Sequence, residues 1–271
     1  MCKILCSTGA LIGRPNNRDY RLLGPLSRQL TCDGFEFMMY STWYEEKDAL
    51  ISELQALGLL IPVMHCEKNI GEAISKGEFE EAFRRFDINC EIAAAIGAGK
   101  MVVHLWDGLT SDRHFENNLK AYGQLWDIAA RYHVDVLVEN VVCNHENPMK
   151  HWCELVKEYP DIHFVFDTKM AAFHSQLELL YEEEYEWLWR EGHICHYHVN
   201  DYAGGYMDWK NLRTLPVGRG HVDFVGFFEH VRQSGYQGTF TVESTAFGDD
   251  GAVDVEMLNE QFAYIREELE A

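Results

Sequence analysis

The chain has few basic residues and no long apolar run, and each shortage excludes a class of protein. Only 23 Lys and Arg stand against 44 Asp and Glu, so the formal net charge is −21. Nucleic-acid binding requires clustered basic side chains that neutralise phosphates, and we therefore predict no nucleic-acid partner. No apolar stretch approaches the roughly 20 residues of a membrane-spanning helix. The first residues lack a signal-peptide layout, so we expect no membrane association.

The cysteines show no pattern of a metal or disulfide framework. Eight are scattered along the chain, at positions 2, 6, 32, 66, 90, 143, 153 and 195, and none forms a CxxC pair. Several stand inside apolar runs, as reduced core thiols do. We therefore expect a cytoplasmic protein.

Short apolar runs alternate with amphipathic stretches along the whole sequence. The predicted strands are Lys3–Ser7, Gly34–Met38, Leu59–Met64, Met101–Leu105, Val134–Glu139, Ile162–Asp167, His193–Val199 and Thr239–Glu243. Helical patterns lie between them, among them Glu80–Ile96, Leu177–Trp189 and Val255–Glu268. Near-continuous apolar strands are typical of parallel sheets covered on both faces. Eight such units without a flexible linker favour an α/β fold, a single (β/α)8 TIM barrel over residues 1–271, rather than an open doubly wound sheet.

Polar side chains that bind hard metals stand where four consecutive predicted strands end. They are Glu139, Asp167, His198 and Glu243. A charged group at the end of a buried strand is costly unless it is paired or bound to a metal. Barrel strands end at the catalytic mouth, so we predict that these four bind one divalent metal ion. Three carboxylates and one imidazole favour Mn²⁺, with Mg²⁺, Co²⁺ or Zn²⁺ left open.

Other candidates stand at the same predicted rim. His65 follows the third predicted strand and His104 lies near the end of the fourth, where they would bind substrate hydroxyls or stabilise developing charge. Glu36 ends the second strand, and we expect it to contact substrate. Each of the two histidines also fits a purely structural role.

Three further side chains are predicted to bind substrate. Trp106 would stack on a sugar or cover the core, and Lys169 would pair with substrate oxygens or cap a helix. Arg219 lies in the long segment Asp201–Asp223, which we interpret as a lid or substrate wall. Its guanidinium would hold a phosphate or be a surface charge.

Several short motifs together resemble one known superfamily. They are Val-Glu-Asn at 138–140, Phe-Asp-Thr at 166–168, His-Tyr-His-Val-Asn-Asp at 196–201, Pro-Val-Gly-Arg-Gly-His-Val-Asp at 216–223 and Val-Glu-Ser at 242–244. The array resembles the xylose isomerase-like barrels, and more closely the sugar phosphate isomerase/epimerase group. The resemblance implies that Glu139, Asp167, His198 and Glu243 hold the metal. It also implies that Glu139 and Glu243 are the catalytic acid/base pair.

Departures from the family pattern leave the substrate open. Met170 stands where members often carry His, Gly204 where ketose 3-epimerases carry Arg, and His145 where they carry Glu. The related endonuclease IV-type repair enzymes need the histidine that Met170 replaces, and the acidic charge also disfavours that function.

We therefore expect a metal-dependent isomerase or epimerase of a sugar, sugar phosphate or keto-polyol, acting through an enediolate. A dehydratase or lyase that uses the same metal site is the alternative. A non-catalytic sugar-binding barrel is less favoured. The expected partner is a small molecule, and a homo-oligomer or a second subunit remains open.

Overall fold

Eight parallel strands form the framework of the protein. A computed structural model describes residues 2–106 and 111–271, and within them the strands close a barrel in the order β1 to β8. The strands are β1 (Lys3–Ser7), β2 (Gly34–Met38), β3 (Val63–His65), β4 (Lys100–Val103), β5 (Asp135–Glu139), β6 (His163–Asp167), β7 (Ile194–Val199) and β8 (Thr239–Val242). The predicted (β/α)8 TIM barrel is confirmed.

The strands form where apolar residues are continuous, because both faces of a parallel sheet are covered. All five residues of β2 are buried, and so are the last four of β5 and of β6. The third strand begins later than predicted, at Val63 rather than Leu59. Pro62 lacks a backbone N–H and limits β3 to the residues after it.

Helices connect the strands. They are α1 (Leu23–Ser27), α2 (Lys47–Leu57), α3 (Asn69–Ser75), α4 (Phe79–Ile96), α5 (Phe115–Ala130), α6 (Pro148–Glu158), α7 (Thr168–Phe173), α8 (Trp187–Arg190), α9 (Phe224–Ser234) and α10 (Val255–Glu270). In α2 and α4 the chain leaves the helix through a glycine with positive φ, Gly58 and Gly97. None of the described helices is long and apolar enough to cross a membrane.

The continuous helix predicted over Leu177–Trp189 is wrong. Two 3₁₀ turns, Glu178–Tyr181 and Glu183–Tyr185, precede the short helix α8. A continuous helix would place Glu178, Glu182 and Glu186 on one face at i,i+4 spacing, where like charges repel. At Glu182 the backbone is extended instead, with ψ 137°.

The chain divides into two compact units. The first contains the residues up to Glu36 together with Asp167–Ala271, and the second is Phe37–Phe166. In the first unit, β1 pairs with β2 and β8, and β8 pairs with β7. In the second, β3, β4, β5 and β6 pair in sequence. The assignment of residues 1–271 to one domain remains a prediction.

Candidate active site

Three of the predicted metal ligands converge in the first unit. Asp167 ends β6, His198 lies near the end of β7, and Glu243 follows β8. Nδ1 of His198 lies 3.5 Å from Glu243 Oε2 and 4.0 Å from Asp167 Oδ2. Two ligands of one ion with bonds of about 2.1 Å stand about 3 Å apart when adjacent and about 4.2 Å apart when opposite. The observed separations fall between these limits, so the three side chains fit a common cation.

Local hydrogen bonds fix the carboxylate of Asp167. Its Oδ1 accepts the N–H of Met170 at 2.7 Å and so caps α7. Asn200 Nδ2 donates to Oδ2 at 2.9 Å, while Asn200 Oδ1 accepts the N–H of Lys169 at 3.2 Å. Asn200 therefore holds both Asp167 and the backbone of Lys169. Its role was not predicted, although its place in His-Tyr-His-Val-Asn-Asp, directly after a buried strand, is a signal that could have indicated it.

Glu243 keeps one oxygen without a protein partner. Its side chain is 10% exposed. Oε2 faces His198, whereas the buried Oε1 has no hydrogen-bond partner among the described residues. A buried carboxylate oxygen without a donor is costly in a folded protein, and a cation or a substrate proton would relieve that cost.

Glu36 belongs to a fully buried cluster that lies behind His198. Its Oε2 is 3.1 Å from His198 Nε2 and 2.9 Å from His196 Nε2, and it accepts the hydroxyl of Thr241 at 2.7 Å. Burial by itself raises the pKa of the Glu36 carboxyl, but His198 and His196 outweigh burial and hold that pKa well below its usual range. Oε2 of this predicted substrate contact therefore has three side-chain partners, whereas the buried Oε1 has no hydrogen-bond partner among the described residues.

In the second unit, Glu139 lies between two histidines. Its Oε2 is 2.7 Å from His104 Nε2 and 3.4 Å from His65 Nε2, and all three side chains are nearly inaccessible. Burial lowers the pKa of His104 to about 4, against the opposing effect of Glu139. His104 is therefore neutral at pH 7, and its Nε2 lies close to the carboxylate. His65 Nδ1 lies 2.9 Å from the carbonyl oxygen of Cys66, which requires a proton on Nδ1.

The three remaining predicted residues lie in different environments. Trp106 is fully buried, its indole N–H donates to the carbonyl of Val141 at 2.9 Å, and its ring packs against Phe115. Lys169 is only 7% exposed, and its ammonium donates to the Thr214 hydroxyl at 3.0 Å. Arg219 is exposed.

The long segment after β7 is anchored at its base. Asp201 is fully buried and accepts the N–H groups of Tyr202, Gly220 and Val222 at 2.8, 2.7 and 3.1 Å. Its backbone also bridges to Leu215. The base of the segment is therefore a fixed wall, while its role towards substrate remains a prediction.

Comparison with known families agrees with this geometry. Residues 26–269 match the model of the family described as the xylose isomerase-like TIM barrel. The chain belongs to this family. No curated protein sequence matches it.

Solved structures with a similar fold cover nearly the whole chain of this xylose isomerase-like protein. A D-allulose 3-epimerase from Methylomonas sp. shares 16% identity, with 99% of this chain and 98% of that chain covered and a TM-score of 0.71. The L-ribulose 3-epimerase structure shares 16% identity, covers 100% and 95%, and has a TM-score of 0.72. The 3-keto-D-glucoside 4-epimerase from E. coli shares 17%, covers 98% and 100%, and has a TM-score of 0.70. At these identities the likeness shows a common fold.

Proposed function

We propose that this protein is a divalent-metal-dependent isomerase or epimerase of a sugar, sugar phosphate or keto-polyol. The observation that carries the proposal is the convergence of Asp167, His198 and Glu243, with ligand atoms 3.5–4.0 Å from His198 Nδ1. Membership of the xylose isomerase-like family supports it. Solved structures with a similar fold, which are named as sugar epimerases, give it further support.

Glu139 is the proposed fourth ligand. It ends β5 and pairs with Val165 on β6, two residues before Asp167 on the same strand. Because parallel strands of a barrel end at the same rim, this register favours Glu139 as a neighbour of the other three ligands. Three carboxylates and one imidazole are a hard donor set, and Mn²⁺ is the favoured ion.

The proposed chemistry is proton transfer at the carbon next to a carbonyl. A bound ion would polarise the carbonyl and neutralise charge that develops on its oxygen. Glu243 and Glu139 form the acid/base pair, in which one removes the α-proton to give an enediolate and the other returns a proton. His104 lies beside Glu139 and orients it, while the Nε2 lone pair of His65 accepts a substrate hydroxyl. Return of the proton to the same carbon from the opposite face gives the epimer, and return of a proton to the neighbouring carbon gives the isomer.

Lys169 and Arg219 are the proposed contacts with the rest of the substrate. Among the described residues, the Lys169 ammonium has one hydrogen-bond partner, Thr214, so two of its three N–H donors remain for substrate oxygens. Lys169→Met should therefore raise KM more than it lowers kcat. Equal decreases in kcat and kcat/KM would instead show that the ammonium interacts with the transition state and not with the bound substrate.

Metal content provides the first test. Protein purified without chelator should contain close to one equivalent of a divalent metal, measured by elemental analysis. The EDTA-treated protein should bind Mn²⁺ in a calorimetric titration, and Asp167→Asn should weaken that binding strongly. An unaltered protein that binds no divalent ion would contradict the proposal.

Solvent exchange tests the chemistry. The Mn²⁺-loaded protein is incubated with a panel of ketoses, their phosphates and keto-inositols in D₂O, and deuterium at the α-carbon is followed by NMR. Glu243→Gln should slow exchange about 10²- to 10⁴-fold, whereas Glu260→Gln, on the exposed face of α10, should not. Loss of water from the substrate would identify a dehydratase instead.

A further inference from the structure

A single carboxylate oxygen organises both histidines of β7. Glu36 Oε2 accepts from Thr241 at 2.7 Å, and it lies 2.9 Å from His196 Nε2 and 3.1 Å from His198 Nε2. Glu36, both histidines and Thr241 are completely buried. The partners of Glu36 Oε2 are therefore all side chains of the barrel interior.

The contacts fix where the protons lie. An ionised carboxylate only accepts hydrogen bonds, so each imidazole nitrogen that faces Glu36 Oε2 carries a proton. In the neutral imidazole of His198 that proton is on Nε2, which leaves Nδ1 with its lone pair. That lone pair lies on the side of Glu243 Oε2 and Asp167 Oδ2. For His196 the same assignment leaves Nδ1 to accept the hydroxyl of Thr239, 2.6 Å away.

We propose that Glu36 is a positioning residue, which holds His198 in the Nε2–H tautomer and turns its Nδ1 lone pair towards the metal ligands. The inference rests on the proposed metal site. A hydrogen bond from the distal nitrogen of a ligating histidine to a carboxylate fixes the ring and makes the ligating nitrogen more basic. Thr241 and His196 donate to the same oxygen and so orient Glu36 itself.

The first test uses the metal-free protein. In ¹⁵N-histidine-labelled protein at pH 7.5, the imidazole of His198 should show a protonated Nε2 and a bare Nδ1. Its Nε2–H should exchange slowly with solvent and resonate downfield, because it bonds to a buried carboxylate. His198→Asn and His196→Asn assign the signals. In Glu36→Gln the slowly exchanging signal should shift upfield or disappear. A His198 protonated on Nδ1, or a signal that Glu36→Gln leaves unchanged, overturns the proposal.

The second test measures affinity for Mn²⁺ alone by calorimetry. Glu36→Gln should weaken binding roughly 10- to 100-fold. Thr241→Val, which removes one bond to Glu36 but leaves the His198–Glu36 contact, should weaken it less. Equal affinity of Glu36→Gln and the unaltered protein overturns the positioning role.

The two proposals fail in different ways. If the unaltered protein binds no Mn²⁺, the proposed function fails, while the imidazole signals still report on the tautomer. If Glu36→Gln does not fold, as judged by circular dichroism, the signals of the unaltered protein decide. Protonation of His198 at Nδ1 then overturns the inference, and protonation at Nε2 with slow exchange supports it.

Discussion

Gly204→Ala should destabilise the protein through one steric conflict in the loop after β7. A Cβ at position 204 would lie 2.2 Å from the Tyr202 hydroxyl and 2.5 Å from the ring carbon Cζ. Tyr202 is fully buried, its ring packs against Phe173, and its hydroxyl donates to the carbonyl of Gly205 at 2.8 Å. The ring must therefore move, because real Cβ atoms do not approach so closely.

The expected cost follows from these contacts. Overpacking costs about 1–3 kcal/mol, and loss of the Tyr202 hydrogen bond adds about 0.5–1.5 kcal/mol. The free energy of unfolding should therefore fall by about 1.5–4.5 kcal/mol. With an unfolding entropy of about 2.1 cal/mol/K per residue, this corresponds to a decrease in Tm of roughly 3–8 °C. The adjacent Gly205 is the matched control, since a Cβ there meets nothing within 4 Å. Gly205→Ala should be neutral or stabilise by less than about 1 kcal/mol.

Urea unfolding followed by circular dichroism measures both variants. A double-mutant cycle with Tyr202→Ala should show a coupling energy of at least about 1 kcal/mol, because removal of the ring removes the conflict. Equal stability of the two glycine variants would refute the reasoning.

Further predictions concern a buried anchor, a neutral histidine and a buried thiol. Asp201→Ala removes the acceptor of three loop N–H groups and should lower the free energy of unfolding by about 2–4 kcal/mol in urea; an unchanged midpoint would contradict this. Burial lowers the pKa of His104 to about 4, so between about pH 6.5 and 4 the unfolded chain binds a proton that the folded chain does not. Stability of the metal-free protein should fall by about 3 kcal/mol as pH drops through that window, and His104→Gln should lose this part of the dependence. Burial raises the pKa of the Cys90 thiol to about 12, so mass spectrometry should find it unmodified by iodoacetamide at pH 8 until urea unfolds the chain.

Most of the framework could be predicted because hydrophobic periodicity is a local signal. The bounds of β1 and β2 agree with the prediction at both ends, and the apolar run of β1 begins and ends at the polar residues Lys3 and Ser7. Where a second local effect competes, the pattern misleads. Leu59, Leu60 and Ile61 read as strand, yet Pro62 delays β3, and Leu60 is 45% exposed. The apolar spacing of Leu177–Trp189 predicts a helix, but the glutamates at i,i+4 within this segment oppose it.

The candidate ligands were predictable for a related reason. A carboxylate at the end of an apolar strand is conspicuous in sequence, and the (β/α)8 topology gathers such ends at one rim. The orientation of each group was not predictable in this way. Asn200 fixes the Oδ2 oxygen of Asp167 through a side-chain bond to the next strand, and no pattern of hydrophobicity specifies it.

The contacts of Glu36 could not be predicted from the sequence, because its partners lie on other strands and meet it in the barrel interior. From the sequence we expect it to end the second strand and to contact substrate, whereas it is the third of the five residues of β2. Its partners lie 160, 162 and 205 residues away. Two strands, β1 and β8, separate β2 from β7 in the barrel order, so strand pairing alone does not bring Glu36 to the histidines. Glu36 meets the histidines because the side chains of all three point into the barrel. A carboxylate on a barrel strand can therefore face either the mouth or another side chain. Its contacts distinguish the two cases, whereas burial does not, since Glu36 and Asp167 are both fully buried.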